Sequence, residues 1–254
     1  MQMHILLSND DGYQAPGLKA LFDSTKEHGE ITIVAPIENR SGASGSLTLS
    51  KVLTVKASGE RCFAVDGTPV DCVHIGLNGL LDNEPDMVIS GINSGSNLGD
   101  DVLYSGTVGA ALEGRRLTYP GVAVSLVGSE PKHYRTAGQV VSAIISELKI
   151  SPLASGTILN VNVPDRPLGD LNGYKITRLG YRARSHPVVK INVSDDYRQY
   201  RIGTIGSAAD SSPGTDFSAV NDGYVSITPL LIDSTDHSQR EYLADWALNL
   251  KLKS

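Results

Sequence analysis

The stretch His4-Ile-Leu-Leu-Ser-Asn-Asp-Asp-Gly12 decides how this chain folds. Its apolar half is predicted to form a short buried strand, which delivers Asn9, Asp10 and Asp11 into a turn. Adjacent carboxylates repel each other and raise at least one pKa unless a cation lies between them. A hard divalent metal, which prefers oxygen ligands, is one reason to build such a pair. A simple Asx-rich turn is the other, and this stretch taken alone slightly favours it.

The residues that follow the turn predict a β-α-β unit. Leu18, Leu21 and Phe22 recur at helical spacing, and Gly29 marks the end of that helix. Residues 31–34 then form a second apolar strand. Two strands joined by a helix predict the start of a parallel sheet with a right-handed crossover.

The rest of the chain supplies the other elements of an α/β fold. Further strands are predicted at 47–57, 62–65, 87–90, 121–126, 158–163 and 224–231. Further helices are predicted at 69–80, 108–117, 134–148 and 242–252. A long polar loop lies at 91–107. Extended segments at 175–205 are predicted to project as hairpins, and a turn-rich stretch follows at 215–223.

These elements predict a single α/β domain with a Rossmann-like, mainly parallel sheet flanked by helices. Its core comprises residues from about 1–165 and 213–231. An extended hairpin region covers about 174–212, and a C-terminal segment covers about 232–254.

Composition and charge restrict the classes of function. The 254 residues carry a formal net charge of −6, so the chain lacks the basic surface that nucleic-acid polymers require. It has neither an apolar run long enough for a membrane span nor the pattern of a secretory signal. Cys62 and Cys72 fit two structural thiols in a reducing compartment. We expect a cytoplasmic protein that binds neither membrane nor nucleic-acid polymer.

Three polar loops are predicted to leave the carboxyl ends of neighbouring parallel strands, where such sheets bind ligands. They contain Asn9-Asp10-Asp11, then Asn39-Arg40-Ser41, then residues 93–107. Their side chains are mainly carboxylates, amides and hydroxyls, without His or Cys. This set favours Mg²⁺, Mn²⁺ or Ca²⁺ over a closed zinc site.

The third loop ends in Tyr104-Ser105-Gly106-Thr107, at a predicted helix start. Free backbone N–H groups and hydroxyls at such a terminus bind anions, although a single Ser or Thr there more often only caps the helix. A phosphate cradle beside a metal site predicts metal-assisted phosphoryl hydrolysis, in which Arg40 could neutralise developing charge. The glycine pattern of dinucleotide-binding proteins, the P-loop and the nucleophile elbow are all missing.

Several motifs, in order, resemble the SurE family of stationary-phase survival proteins. They are Leu7-Ser-Asn-Asp-Asp-Gly12, Val34-Ala-Pro36 with Asn39-Arg-Ser-Gly42, Asp66-Gly-Thr-Pro69, Ser90-Gly-Ile-Asn-Ser-Gly-Ser-Asn-Leu-Gly99 and Tyr104-Ser-Gly-Thr-Val-Gly-Ala-Ala-Leu-Glu-Gly114. The resemblance extends from the first strand to about Val163, and it resumes at residues 215–216 and 223–230. The quoted motifs do not reach the region 182–212.

The resemblance implies a metal-dependent 5′/3′-nucleotidase that hydrolyses nucleoside monophosphates, and in some members short polyphosphate. It implies one divalent metal ion per subunit, with four ligands: Asp10, Asp11, Ser41 and Asn97. The phosphate pocket maps onto Ser105, Gly106 and Thr107. The residues predicted to take part in catalysis are Asp10, Asp11, Asn9 and Asn93.

The resemblance also implies a homodimer or homotetramer with a projecting hairpin and an exchanged C-terminal segment. Trp246 and its helix would then pack on a partner subunit, and the alternative is that they cover their own sheet. A non-catalytic nucleotide or phosphate sensor on the same scaffold is the alternative function. A dehydrogenase is disfavoured by the missing glycine pattern.

Overall fold

A mainly parallel sheet forms the centre of the molecule. The structure is a computed structural model, and it describes residues 2–154, 156–193 and 196–250. The strands are β1 (Met3–Ser8), β2 (Gly29–Pro36), β3 (Val55–Gly59), β4 (Cys62–Val65), β5 (Met87–Ser94), β6 (Gly121–Val127), β7 (Ile158–Pro164), β8 (Tyr174–Ile176), β9 (Tyr181–Arg182), β10 (Val189–Val193), β11 (Arg198–Arg201), β12 (Ala208–Asp210) and β13 (Val225–Leu230). The α-helices are α1 (Pro16–Thr25), α2 (Pro69–Ile75), α3 (Gly106–Glu113), α4 (Tyr134–Ile150), α5 (Asp216–Asn221) and α6 (Arg240–Leu248).

Nine strands make up the central sheet, in the order β3-β4-β2-β1-β5-β6-β7-β13-β8. The chain runs from β1 to β2 on one side, and β5 then pairs in parallel with β1 on the other. The strand order therefore reverses between β1 and β5, and ligands bind at such a point in open α/β sheets. β13 is antiparallel to β7, and β3 is antiparallel to β4.

Every residue of β1 is buried, because helices cover both faces of the sheet. Ile5 and Leu7 pack in the same cluster as residues of α1 and α4. Leu6 points to the other face, where it packs in a cluster with residues of α2 and α3. The predicted Rossmann-like sheet flanked by helices is confirmed. None of the helices in the described ranges has the length and apolarity needed to cross a bilayer.

Several predicted boundaries were wrong. The strand predicted at 47–57 exists only as β3, because residues such as Leu49 and Val52 are exposed and have no neighbouring strand. The loop predicted at 91–107 contains regular secondary structure, since β5 continues to Ser94 and a 3-10 turn covers Gly99–Leu103. The helix predicted at 108–117 is α3, which begins and ends earlier.

The C-terminal third also differs from the prediction in detail. The turn-rich stretch 215–223 contains α5, whose first turn is capped by the Thr215 hydroxyl. β8, predicted within the hairpin region, joins the edge of the central sheet instead. β10 and β11 form the expected antiparallel hairpin, while β9 and β12 form a second small sheet. The helix predicted at 242–252 is α6, and residues 251–254 lie outside the described ranges.

The buried carboxylate of Asp71 holds the irregular segment before β3 against α2. It accepts hydrogen bonds from the backbone N–H and hydroxyl of Thr48, at 2.7 and 2.6 Å, and from the backbone N–H of Thr68, at 2.8 Å. Burial raises the pKa of the Asp71 carboxyl, but these hydrogen bonds outweigh it and leave the pKa below its usual value. The ionised carboxylate therefore stabilises the fold.

We expect Asp71→Asn to lower the free energy of unfolding by about 2 kcal/mol at pH 7, because an amide cannot accept all three bonds. The midpoint of thermal unfolding should fall by roughly 4–8 °C. The difference should shrink in acid, since the folded pKa lies below the unfolded one and the stabilisation is lost as the pH falls through it. Asp222→Asn, at the exposed ion pair with Lys175, is the control and should cost almost nothing. Equal effects of the two variants would contradict this role of Asp71.

Candidate active site

A tight turn at the carboxyl end of β1 places the two carboxylates. The Asn9 side-chain amide donates to the carbonyl of Gly12 at 2.9 Å, and its oxygen accepts from the Gly12 backbone N–H at 3.2 Å. Asn9 is fully buried, and its side chain shapes this turn instead of lining the cavity beside it. A direct catalytic role for Asn9 stays a prediction, without a contact to support it.

Asp10 points to the amino end of α3. Its Oδ1 accepts a hydrogen bond of 2.5 Å from the hydroxyl of Thr107, and its backbone carbonyl accepts from the Arg40 N–H at 2.7 Å. Thr107 is fully buried. The hydroxyl that the sequence assigned to the phosphate pocket therefore holds the carboxylate of Asp10.

Asp11 joins the other two polar loops to the turn. Its Oδ1 accepts from the side-chain amide of Asn39 at 3.2 Å, and its Oδ2 accepts from the backbone N–H of Ser94 at 3.0 Å. The structure thus brings together the ends of β1, β2 and β5 around one carboxylate pair, as the spacing of the loops predicted.

The site carries negative charge that no cationic side chain neutralises within the described residues. Burial raises the pKa of Asp10 to about 6; the Thr107 hydrogen bond opposes this shift and the charge of Asp11 adds to it. Burial also raises the pKa of Asp11, against the hydrogen bonds from Ser94 and Asn39. Arg40, a candidate for neutralising charge, pairs instead with Asp66 at 3.0 Å.

Ser105 and Gly106 form the start of α3 beside Asp10. The Ser105 hydroxyl accepts from the backbone N–H of Val108 at 3.0 Å, so it caps the helix, and the side chain lines the cavity. Backbone N–H groups in a first helical turn have no partner within the helix. An added Cβ at Gly106 would lie 3.1 Å from the Cβ of Asp10, so the glycine allows this close approach. The arrangement can bind an anion next to the carboxylates.

Asn97 is held by polar side chains of β6 and β7. Its side-chain Nδ2 donates to the hydroxyl of Ser125 at 2.7 Å, which leaves its Oδ1 for the cavity that Asn97 lines. Its backbone N–H donates to Asn162, and its carbonyl accepts from Asn160 and Asn162. Sequence reasoning missed these supports, although the alternation of apolar residues and Asn in 158–163 was a signal for them.

Asp10 borders a cavity of about 610 Å³. Its polar part includes the predicted residues Asp10, Ser41, Asn93, Asn97 and Ser105. The opposite part comes from the hairpin region, which sequence reasoning left unmapped: Ser185, Ile202, Gly203 and Ile205. The sequence signal for these residues, a glycine and two aliphatic residues in a hairpin, was weak because such residues have many other uses there.

The residues present fit a hard divalent cation. Asp10 and Asp11 supply two adjacent carboxylates with raised pKa values, a charge that a cation would stabilise. Ser41 and Asn97 add a hydroxyl and an amide oxygen at the same cavity. Among the described residues no group of three His, Cys, Asp or Glu side chains could hold a metal, so a site here would combine two carboxylates with neutral oxygens.

A family model described as "Survival protein SurE" matches residues 5–186 of this chain. The chain belongs to the SurE family. A 5′-nucleotidase SurE of Alkalilimnicola ehrlichii is 52% identical over 248 residues, which cover 98% of this chain and 96% of that protein. A 5′-nucleotidase SurE of Methylococcus capsulatus is 51% identical over 244 residues, which cover 96% of this chain and 97% of that protein.

The fold of a solved SurE structure agrees with this assignment. The crystal structure of the SurE protein from Aquifex aeolicus aligns with a TM-score of 0.85 at 38% identity. The alignment covers 96% of this chain and 99% of the Aquifex chain. The SurE relatives and this chain therefore match over almost their whole lengths, the carboxylate turn and the hairpin region included.

We expect the ionised carboxylate of Asp10 to lower the free energy of unfolding of this SurE protein when no metal is bound. Because its folded pKa is about 6 against an ordinary value of 3.8, ionisation disfavours the fold as pH rises between these values. In EDTA, we expect Asp10→Asn to raise the free energy of unfolding by up to about 3 kcal/mol at pH 8 and by less at pH 5. Thermal unfolding at both pH values measures this, with Asp23→Asn as an exposed control. A destabilised Asp10→Asn protein in EDTA would contradict it.

Proposed function

We propose that this chain is a nucleotidase that hydrolyses nucleoside 5′-monophosphates to nucleoside and phosphate. The observation that carries the proposal is the pair Asp10 and Asp11 at the end of β1, beside the amino end of α3. It places carboxylates next to a helix start that can bind an anion, an arrangement suited to metal-assisted phosphomonoester hydrolysis. Relatives named 5′-nucleotidase SurE, about half identical over nearly the whole chain, support the same activity.

The proposal extends to 3′-monophosphates and short polyphosphate, which the family resemblance implies. The cavity of about 610 Å³ is within the size range of small-molecule sites and so has room for such substrates. The alternative, a sensor that binds nucleotide without hydrolysing it, has no observation in its favour. Phosphate release from adenosine monophosphate, with and without Mn²⁺, distinguishes the two.

We also propose one divalent metal ion per subunit, Mg²⁺ or Mn²⁺, with Asp10, Asp11, Ser41 and Asn97 as the residues that would hold it. When bound, such an ion polarises a phosphoryl oxygen and lowers the pKa of water. The support is the oxygen-only donor set and the uncompensated charge of the carboxylate pair.

The remaining residues position the reacting groups. The backbone N–H groups at Gly106 and Thr107 would receive the phosphate oxygens, and the Thr107 hydroxyl keeps Asp10 oriented. Asn93 lines the cavity, and its side-chain amide donates to the carbonyl of Gly95 at 2.9 Å, which holds the side chain in place. Asn97 is preorganised by Ser125.

We expect Asp10→Asn and Asp11→Asn to lower kcat for adenosine 5′-monophosphate by more than about 100-fold, because each removes a charged oxygen from the site. Phosphate release in Mn²⁺ measures the loss, and circular dichroism checks that both variants fold. Equilibrium dialysis should show weakened Mn²⁺ binding. Asp23→Asn, an exposed carboxylate on α1, is the matched control and should keep wild-type activity. Full activity of either site variant in EDTA would refute the metal-dependent mechanism.

We propose further that the chain acts as a homodimer or homotetramer in the cytoplasm. The support is α6, in which no residue is buried and Leu243 and Trp246 are 50% and 53% exposed. Apolar residues at helical spacing on an uncovered helix favour packing against a second copy over solvent. The cytoplasmic assignment rests on the reduced cysteines, one of which, Cys72, is buried.

Light scattering should give a mass that is two or four times the 27.0 kDa of one chain. The double substitution Leu243→Glu with Trp246→Glu should shift the mass toward a single chain, because charges do not pack in an apolar interface. Lys175→Glu, at an exposed ion pair, serves as the control and should leave the mass unchanged. A wild-type mass of one chain would contradict the oligomer.

A further inference from the structure

The cavity has two chemically different sides. Polar groups that include Asp10, Asn93 and Ser105 lie at the ends of the central strands and of α3. The opposite side is formed by four residues of the hairpin region, Ser185, Ile202, Gly203 and Ile205, which we call the hairpin wall. We infer that the hairpin wall binds the nucleoside half of the substrate, and that the ion pair between Asp101 and Arg182 is the positioning device that holds it there. This inference rests on the proposed nucleotidase function.

The hairpin wall presents apolar surface that the core does not use. Ile202 and Ile205 line the cavity and are 86% and 59% exposed. Tyr104, which also lines the cavity and is 70% exposed, adds an aromatic ring next to Ser105. A nucleobase needs such flat apolar and aromatic contacts, whereas a phosphate needs the polar side. A ligand with one charged and one aromatic end therefore matches the cavity.

The two chain segments that carry the hairpin wall, before β10 and after β11, are hydrogen-bonded to each other. The backbone N–H of Ala183 donates to Ser207 at 2.8 Å, and that of His186 donates to Thr204 at 2.9 Å. An added Cβ at Gly203 would lie 2.2 Å from the His186 carbonyl oxygen, so this approach requires glycine. The hairpin wall therefore forms one unit. Its position over the cavity depends on the contacts at Arg182, where this part of the chain leaves the core.

Arg182 fixes this part of the chain to the turn that leads into α3. Its Nε and one terminal nitrogen donate to the two carboxylate oxygens of Asp101, at 2.7 and 2.6 Å. The other terminal nitrogen donates to the carbonyl of Gly206 at 3.2 Å, so one side chain holds both segments that carry the hairpin wall. Both members of the pair are largely buried, and the guanidinium carbon lies 5.0 Å from the centre of the Phe217 ring.

A second carboxylate reinforces the same junction. Asp216 is fully buried, and its two oxygens accept from the backbone N–H groups of Gly99 and Gly180, at 2.7 and 2.9 Å. Gly99 begins the 3-10 turn that contains Asp101, and Gly180 precedes β9. The position of the hairpin wall relative to the phosphate side is therefore set by planar, two-point contacts. Lysine could not reproduce the contacts of Arg182, because an ammonium group lacks the planar set of N–H donors that binds both carboxylate oxygens at once.

The test is Arg182→Lys, which keeps the positive charge and removes the two-point contact with Asp101. We expect its KM for adenosine 5′-monophosphate to rise about tenfold while kcat changes less than about twofold. Calorimetry should show the dissociation constant for adenosine rising in parallel and that for inorganic phosphate unchanged. Arg61→Lys is the matched control, because Arg61 pairs with Glu30 at the opposite end of the sheet, and it should leave all four quantities unchanged.

A second variant tests the hairpin wall without touching the ion pair. Ile202→Ala with Ile205→Ala should weaken adenosine binding and leave phosphate binding unchanged, even if Arg182→Lys fails to fold. Wild-type adenosine binding in both variants, or an equal loss of adenosine and phosphate binding, would overturn the inference. Failure of the proposed nucleotidase function gives a different result from failure of this inference, because the wild-type protein in Mn²⁺ would then release no phosphate from any nucleoside monophosphate.

Discussion

The carboxylate of Asp10 is buried next to the carboxylate of Asp11, and the local structure is arranged around that unfavourable pairing. Burial raises the pKa of Asp10 to about 6, and no cationic side chain hydrogen-bonds to either group within the described residues. What keeps Asp10 in place is the hydroxyl of Thr107 on one side and the turn closed by Asn9 on the other. A protein that needed only a turn here would gain stability by losing one charge, which supports the proposed cation.

The same constraint explains why polar residues occupy the buried ends of the central strands. Asn97 is held by Ser125, Asn160 and Asn162, all on β6 and β7 and all fully buried. Apolar residues would pack more favourably at these positions, but they could not fix the direction of an amide oxygen. Part of the sheet's core thus supports the site, and helices on both faces supply the burial that stabilises the fold.

Local sequence rules predicted which polar residues meet at this site, and for two of them the structure shows a hydrogen-bond partner that those rules did not predict. Thr107 follows a helix start with free N–H groups, and its spacing alone suggested a phosphate contact, yet its hydroxyl donates to Asp10. Asn9 precedes the carboxylates and resembles a catalytic amide, yet both of its polar atoms bond to Gly12. In each case the residue type is compatible with several hydrogen-bond partners. The one that the structure shows lies 97 residues away for Thr107 and within its own turn for Asn9.

The sequence by itself determined the buried strand β1, the carboxylate turn after it, the mainly parallel sheet and the convergence of three polar loops at one edge. These follow from apolar periodicity and turn chemistry, which act within a few residues, and from the fixed hand of β-α-β crossovers. Only the tertiary structure decided that the hairpin region forms the far side of the cavity. That placement depends on Arg182 meeting Asp101 across 81 positions of the chain, and on Asp216 meeting Gly99 across 117. Such contacts leave no periodic trace in the sequence, because what selects them is the geometry of elements that have already packed.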